Sequence, residues 1–306
     1  MGEEECLPLI AGGGLSPTSN AWEILCRVAK LLGRAWKLLF PLLFIYLITS
    51  TLLLFGNYIT IMPLIVDMVK KLFAMKTEDP SSSEFLALLR GIIEDIRELA
   101  AAEVGMMLPS FLLSSFHWTA VINALAMAAK KEKMTFKDLL YKITRTWKGL
   151  FSTLLYSNFL SFGYIFFWLL LRFAFLFHFG HYLPPFASSA ITIVPGLALL
   201  LYLQMVWTQG VVVSVTEEGR YGLTALGRAA ELIQGRIRLW LGVYFLWILI
   251  LMGYCLAISL LLRSETNQMI IMTANLLPSL LLAVFSQAMD VAFYYECRKA
   301  TQKETP

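Results

Sequence analysis

The chain has 306 residues, 58% of them hydrophobic and 15% charged, with a net charge of +4. Soluble domains carry roughly 45–50% apolar and about 25% charged residues, so a soluble fold is excluded: its surface would have to expose much of this Leu, Phe and Ile. The basic residues cluster beside apolar runs, which points to anionic lipid headgroups rather than nucleic acid as their partner.

Residues 1–20 carry Glu3, Glu4, Glu5, Gly12, Gly13, Gly14 and Pro17 and lack apolar periodicity. They read as a disordered cytosolic head. An acidic start does not make a signal peptide, and Cys6 stands where a myristoylation signal wants Ser or Thr.

Six apolar runs follow, at residues 38–62, 105–128, 151–177, 186–215, 239–262 and 269–295. Each reaches the roughly 20 residues that a helix needs to cross a bilayer's hydrocarbon. The expected fold is all-α and polytopic, a six-span membrane domain over residues 21–295 followed by a cytosolic tail over residues 296–306. Pro195 interrupts the fourth span, and its missing donor predicts a kink there.

Residues 63–104 form the one sizeable external segment. Phe85, Leu88, Leu89, Ile92, Ile93, Ile96 and Leu99 recur at helical spacing, and Ser81 with Glu84 makes a capping box after Pro80. The pattern predicts a helix of about five turns leading into the second span, as a cap over the outer mouth.

Orientation follows from the cations, because Lys and Arg accumulate on the cytosolic side. Eighteen lie before span one, between spans two and three, between spans four and five, and in the tail; six lie on the other side, with Arg172 inside a span. Six spans with both termini cytosolic satisfy this count, in the endoplasmic reticulum or the plasma membrane.

The basic segments share a design. Residues 21–39 put Ile24, Val28, Leu31, Ala35 and Leu38 on one helical face and Arg27, Lys30, Arg34 and Lys37 beside it. Residues 136–150 gather Phe136, Leu139, Leu140, Ile143 and Trp147, with Lys137, Lys142, Arg145 and Lys148 away from them. Residues 222–241 gather Leu223, Leu226, Ala230, Ile233, Ile237 and Trp240, with Arg228 and Glu231 opposite and Arg236 near the end. Each reads as an amphipathic interfacial helix that runs straight into a span. Their similar ends, Gly33-Arg34-Ala35-Trp36-Lys37, Thr144-Arg145-Thr146-Trp147-Lys148 and Gly235-Arg236-Ile237-Arg238-Leu239-Trp240, suggest three units of interfacial helix plus helical hairpin. The apolar faces are expected to sink into the acyl boundary while the cations hold anionic headgroups. Calmodulin binding is the rarer alternative.

Polar groups at membrane depth are hints of function. Arg172 either snorkels to the interface or pairs inside the bundle. Asp290 either pairs with a basic residue of an interfacial helix, the favoured reading, or lines a polar cavity. His117, Asn123, Asn158, Gln204, Gln209 and Gln287 serve as interhelical hydrogen bonds or line a path. His178 and His181, spaced i, i+3, fall short of the three or four ligands zinc wants, so no metal or cofactor is expected. Nucleophile elbows, zincin motifs, P-loops and dinucleotide fingerprints are missing from the sequence, which argues against an enzyme. The four cysteines are scattered and imply no disulfide framework; Cys297 beyond the last span reads as a free thiol, with palmitoylation the alternative.

The stretch from Trp207 to Trp240 carries a resemblance. A Val-rich span end (Val211-Val212-Val213-Ser214-Val215) leads to Glu217-Glu218, then Tyr221-Gly222, Ala225-Leu226, Glu231-Leu232-Ile233 and Gly235-Arg236. This resembles a family of plant multi-span proteins of unknown function, some loosely labelled polyadenylate-binding-protein-binding proteins. The helix-plus-hairpin layout is also similar to the membrane domain of some bacterial glycerophosphodiester phosphodiesterases. Leu226 stands where many members have Met. The resemblance implies a multi-span fold and no activity.

The expectation is a non-enzymatic membrane protein that organises lipid, or a cytosolic protein partner, through its basic helices. The alternative is a small-solute transporter or channel routed past Gln204, Gln209, Asn158 and Asp290.

Overall fold

The computed structural model describes residues 21–77, 82–131, 135–179, 185–234, 236–261 and 268–304. The expected head, Ser81, His181 and the last two residues lie outside them. The described residues form helices α1 (Ala21–Thr77), α2 (Ser83–Ala129), α3 (Phe136–Phe179), α4 (Pro185–Thr216), α5 (Leu223–Ile233), α6 (Ile237–Leu261) and α7 (Gln268–Glu304), and no strand occurs among them. Six of the seven are long and apolar enough to cross a membrane, and each contains one expected span; only Leu262, the last residue of the fifth, is not described.

The amphipathic segments behave differently from one another. Residues 21–39 are the first turns of a 57-residue helix, about 85 Å long at 1.5 Å per residue, and residues 136–150 open the 44-residue α3 in the same way. The third segment is broken. α5 has only 11 residues, and a turn at Gln234 and Arg236 separates it from α6.

The packed core lies at one end of the bundle, the end that carries most of the cations. It joins the start of α1 (Ile24, Val28, Leu31, Ala35, Leu38), the end of α2, the start of α3 (Leu139, Ile143, Leu150), the end of α4, all of α5 and the end of α7. The apolar face of the first segment, expected to sink into lipid, is therefore covered by protein. Ile24, Val28 and Ala35 are fully buried. In the second and third segments the expected face is split: Leu139, Ile143, Leu226 and Ile233 are buried, while Phe136, Leu140, Leu223 and Ile237 are exposed. Toward the far end the spans present Phe159, Phe162, Phe166, Phe173, Leu256 and Leu260 outward, as lipid-facing helices do.

The external segment is the far half of a helical hairpin rather than a separate cap. α1 continues through Pro63 to Thr77, and α2 returns from Ser83. Its N-cap is Ser82, whose Oγ accepts from the Phe85 N–H at 3.0 Å. Lys71 clamps the two helices, with Nζ 2.8 Å from both carboxylate oxygens of Asp95 and 2.8 Å from Asp67.

α4 runs through Pro195 without interruption. Around it α3 supplies a ladder of donors: Tyr164 Oη to the Gly196 carbonyl at 2.6 Å, Trp168 Nε1 to the Thr192 carbonyl at 3.2 Å, and Arg172 Nη1 to Thr192 Oγ1 at 3.3 Å. Arg172 thus bonds inside the bundle. Gly196 lets the indole approach, because a Cβ there would overlap the Trp168 ring nitrogen.

Two outcomes follow from these contacts. Gly196→Ala is expected to cost about 1–3 kcal/mol by overpacking, while Gly33→Ala, at an exposed helical site with open space around it, costs nothing; thermal unfolding in nanodiscs reads both. The hairpin clamp also sets a pH window. Hydrogen bonds donated to Asp67 and then Asp95 push Lys71 up to about 12, and the Lys71 hydrogen bond holds Asp67 below its ordinary value. Asp67's contribution is present above its unfolded-state value and is lost as pH falls through the depressed folded one. Lys71's is present below its ordinary value and lost as pH rises through about 12. Amide protection of the hairpin, corrected for intrinsic exchange, is expected to be flat through neutral pH and to fall in acid; Lys71→Met produces the loss at neutral pH.

Candidate functional site

Two ionic junctions tie the packed end together. Arg27 of α1 pairs with Glu296 of α7, each side chain 12% exposed. Burial lowers Arg27's affinity for its proton, partly offset by the charge of Glu23, but a guanidinium starts so high that it stays charged. Arg27 is therefore committed to a protein carboxylate and is a correction to its expected place among the lipid-facing cations.

The second junction is centred on Glu217, one residue beyond α4. Its carboxylate accepts from the fully buried Tyr294 of α7 at 2.9 Å, lies 3.4 Å from Arg220, and lies 3.9 Å from Arg228 of α5. Arg228 also bonds Glu231 at 2.9 Å. The chain reaches this position through Gly219 and Gly222, whose φ values of +80° and +61° a residue with a Cβ adopts at a cost. The Gly222 N–H donates to Thr153 Oγ1 of α3 at 2.8 Å. The Tyr-Gly step is a fixed turn, held to α3 by that bond.

The remaining cations divide. Arg34, Lys37, Arg145 and Lys148 are exposed, and Arg145 reaches Glu218 at 3.3 Å; Lys30, Lys142 and Arg236 are half-buried. Exposed aromatic residues stand beside them: Trp22, Trp36, Tyr141 and Tyr221.

The polar residues at depth also separate. Asn123 donates to Thr146 across to α3 at 2.9 Å, and Gln209, nearly fully buried, donates to the Asp290 carbonyl at 3.3 Å. These two are interhelical bonds. Asn158 is exposed and bonds only the carbonyl of Leu154 on its own helix, at 2.8 Å. Gln204 and Asp290 meet in one cavity of about 240 Å³, walled by Trp118, Trp240, Trp247 and Phe293. Among the described residues no cation pairs with the Asp290 side chain, so the cavity reading replaces the favoured ion pair. Buried side-chain atoms of His117 and Gln287 lack any partner among the described residues. Cys297 is buried, which argues against acylation. His178 is exposed, and its expected companion His181 lies outside the described residues.

Sequence reasoning missed Glu217, Tyr294 and Glu296 as structural partners. Glu217 was in view as the acid after the Val-rich span end, but pairing over 77 residues to Tyr294 has no local signature.

The chain matches the domain of unknown function DUF8558 over residues 18–305 and belongs to that family. No curated protein and no solved structure matches it.

Tyr294→Phe is expected to cost about 1.5–3 kcal/mol, the range for a hydrogen bond to a charged group. Glu217→Gln destabilises as well, and the double variant falls short of the sum because both remove the same contact. Denaturation of the three variants in detergent measures the coupling.

Proposed function

We propose that this protein is a non-enzymatic membrane protein whose packed basic end faces the cytosol, with both termini there, and binds anionic lipid headgroups. The observation that carries this reading is the set of exposed cations, Arg34, Lys37, Arg145 and Lys148, interleaved with exposed Trp22, Trp36, Tyr141 and Tyr221. Aromatic rings settle at the headgroup level, and each cation near an anionic surface gains roughly 1 kcal/mol. The apolar face of the first segment and part of the other two are already used inside the protein, so the lipid contact is an electrostatic rim, with Phe136, Leu140, Leu223 and Ile237 exposed beside it, on a preformed layer. The same rim offers a surface to a cytosolic protein partner. Membership of a plant multi-span family, a likeness to the membrane domain of bacterial phosphodiesterases, and residence in the endoplasmic reticulum or plasma membrane accompany this reading.

A second reading, small-solute transport, is favoured by the meeting of Gln204 and Asp290 in one cavity. Asn158 faces away from it, which removes one residue of the expected route.

The test uses the full chain. Arg34, Lys37, Arg145 and Lys148 are all replaced by Gln, and thermal stability is compared in nanodiscs with and without phosphatidylserine. Wild type is expected to gain stability from the anionic lipid, by up to about 4 kcal/mol for four cations at low salt, and less at high salt. The variant loses most of that gain. An equal gain in variant and wild type refutes the rim. Tags at Met1 and Pro306 are expected to be cleaved from the cytosolic face of sealed vesicles, and protection of either refutes the orientation.

A further inference from the structure

A second cavity, of about 380 Å³, lies among α1, α2 and α7. Along α1 it extends from Tyr46 to Asn57, about 16 Å at 1.5 Å per residue. Its lining includes the Tyr46 and His117 rings, stacked 4.0 Å apart, and Gln287. Trp118 lines both this cavity and the one that holds Asp290.

The lining has an uneven chemistry. Ser50 Oγ, Asn57 Oδ1, His117 Nε2 and both terminal atoms of Gln287 are buried with no hydrogen-bond partner among the described residues. Gln287 is 1% exposed and His117 7%. Other polar residues in the spans do not behave this way: Thr49, Thr51, Ser115 and Thr119 each bond a carbonyl of their own helix. A buried polar atom without a partner costs about 1–3 kcal/mol, so five in one cavity amount to a demand for an occupant.

We propose that this cavity binds an uncharged ligand bearing hydroxyl groups, with Gln287, Asn57, Ser50 and His117 as its hydrogen-bonding contacts. The orphaned set includes both donors and acceptors: the Gln287 amide supplies one of each, Asn57 Oδ1 accepts, and a serine hydroxyl does either. Hydroxyl groups match such a set because they too do both. Among the described residues no Asp, Glu, Lys or Arg lines the cavity, so a charged group would enter without a counter-charge from them, which is expensive at membrane depth. Leu53, Leu54, Leu113 and Leu276 complete the walls and accept an apolar portion of the ligand. The same chemistry comes from a neutral lipid head or from a free polyol. This site is separate from the basic rim and does not rest on it.

Purified full-length protein in nanodiscs is titrated with dioleoylglycerol as the lipid-borne probe and glycerol as the free one, with dioleoyl phosphatidic acid as the charged control. Bound probe is read by native mass spectrometry. Saturable one-to-one binding of either neutral probe, not displaced by the phosphatidic acid, is expected, and the probe that binds identifies the source. Gln287→Leu is expected to weaken it at least tenfold. Asn57→Leu gives a second, independent loss should Gln287→Leu not elute as a folded species. Replacement of the four rim cations leaves binding unchanged, which separates this site from the lipid rim. The proposal is overturned if neither neutral probe saturates, or if both leucine variants bind as wild type does, since the cavity then holds only water.

Discussion

Lipid tails are as apolar as leucine, so two spans gain nothing from hiding leucines against each other in the hydrocarbon. The hydrophobic effect works only where water is the competitor, and in this chain that is the basic end. There each fully buried Leu, Ile or Val is worth about 1.5–3 kcal/mol relative to water. The core accordingly gathers Ile24, Val28, Leu139, Ile143, Leu232 and Ile233 from the amphipathic segments and lays them on the ends of α2, α4 and α7. The far halves of the spans need no such core. They are joined by directional contacts instead: the Tyr164–Trp168–Arg172 ladder onto α4, Tyr254 to Asn275, and the Lys71 clamp.

A layer held this way has to turn the chain sharply from α4 into α5, and the Glu217 junction shows how. Gly219 and Gly222 supply the left-handed backbone, Thr153 holds the Gly222 amide, and Glu217 draws Tyr294 and Arg228 onto the corner. Gly210 lets the side chain and backbone of Leu226 come close to α4. The stretch from Trp207 to Trp240 that carries the family resemblance is the stretch in which these close approaches are concentrated. Its sequence pattern therefore has a packing explanation before any functional one.

Hydropathy made the spans legible, because apolar length is a property of one segment at a time. All six expected runs fall in separate helices of the described fold. The partners of the amphipathic faces were not legible. Ile24, Val28 and Leu31 make the same pattern whether lipid or protein covers them, and only the return of α7 beside α1 decides. Arg27 was misplaced for the same reason: its acid, Glu296, is almost a whole chain away. The cavity residues left a fainter trace. Tyr46, Ser50 and Asn57 on span one, and Ser110, Ser114 and His117 on span two, each recur at helical spacing. Single polar residues in a span usually bond their own helix, as Thr49 and Ser115 do, so a stripe of them is informative only when a second stripe is known to face it.

The two halves of the molecule thus divide labour along the helix axes. At the basic end, ion pairs and buried side chains leave little freedom, and α7 is fixed there through Glu296, Tyr294 and the Gln209 bond to the Asp290 carbonyl. One turn farther along α7 sits Gln287, unpartnered, and beyond it the wall of a polar cavity. Gln287 and Asp290 line different cavities, and Trp118 lines both. The fold therefore sets two cavities with polar linings along α7, sharing Trp118, beside a helix whose end is anchored in the packed layer through Glu296 and Tyr294.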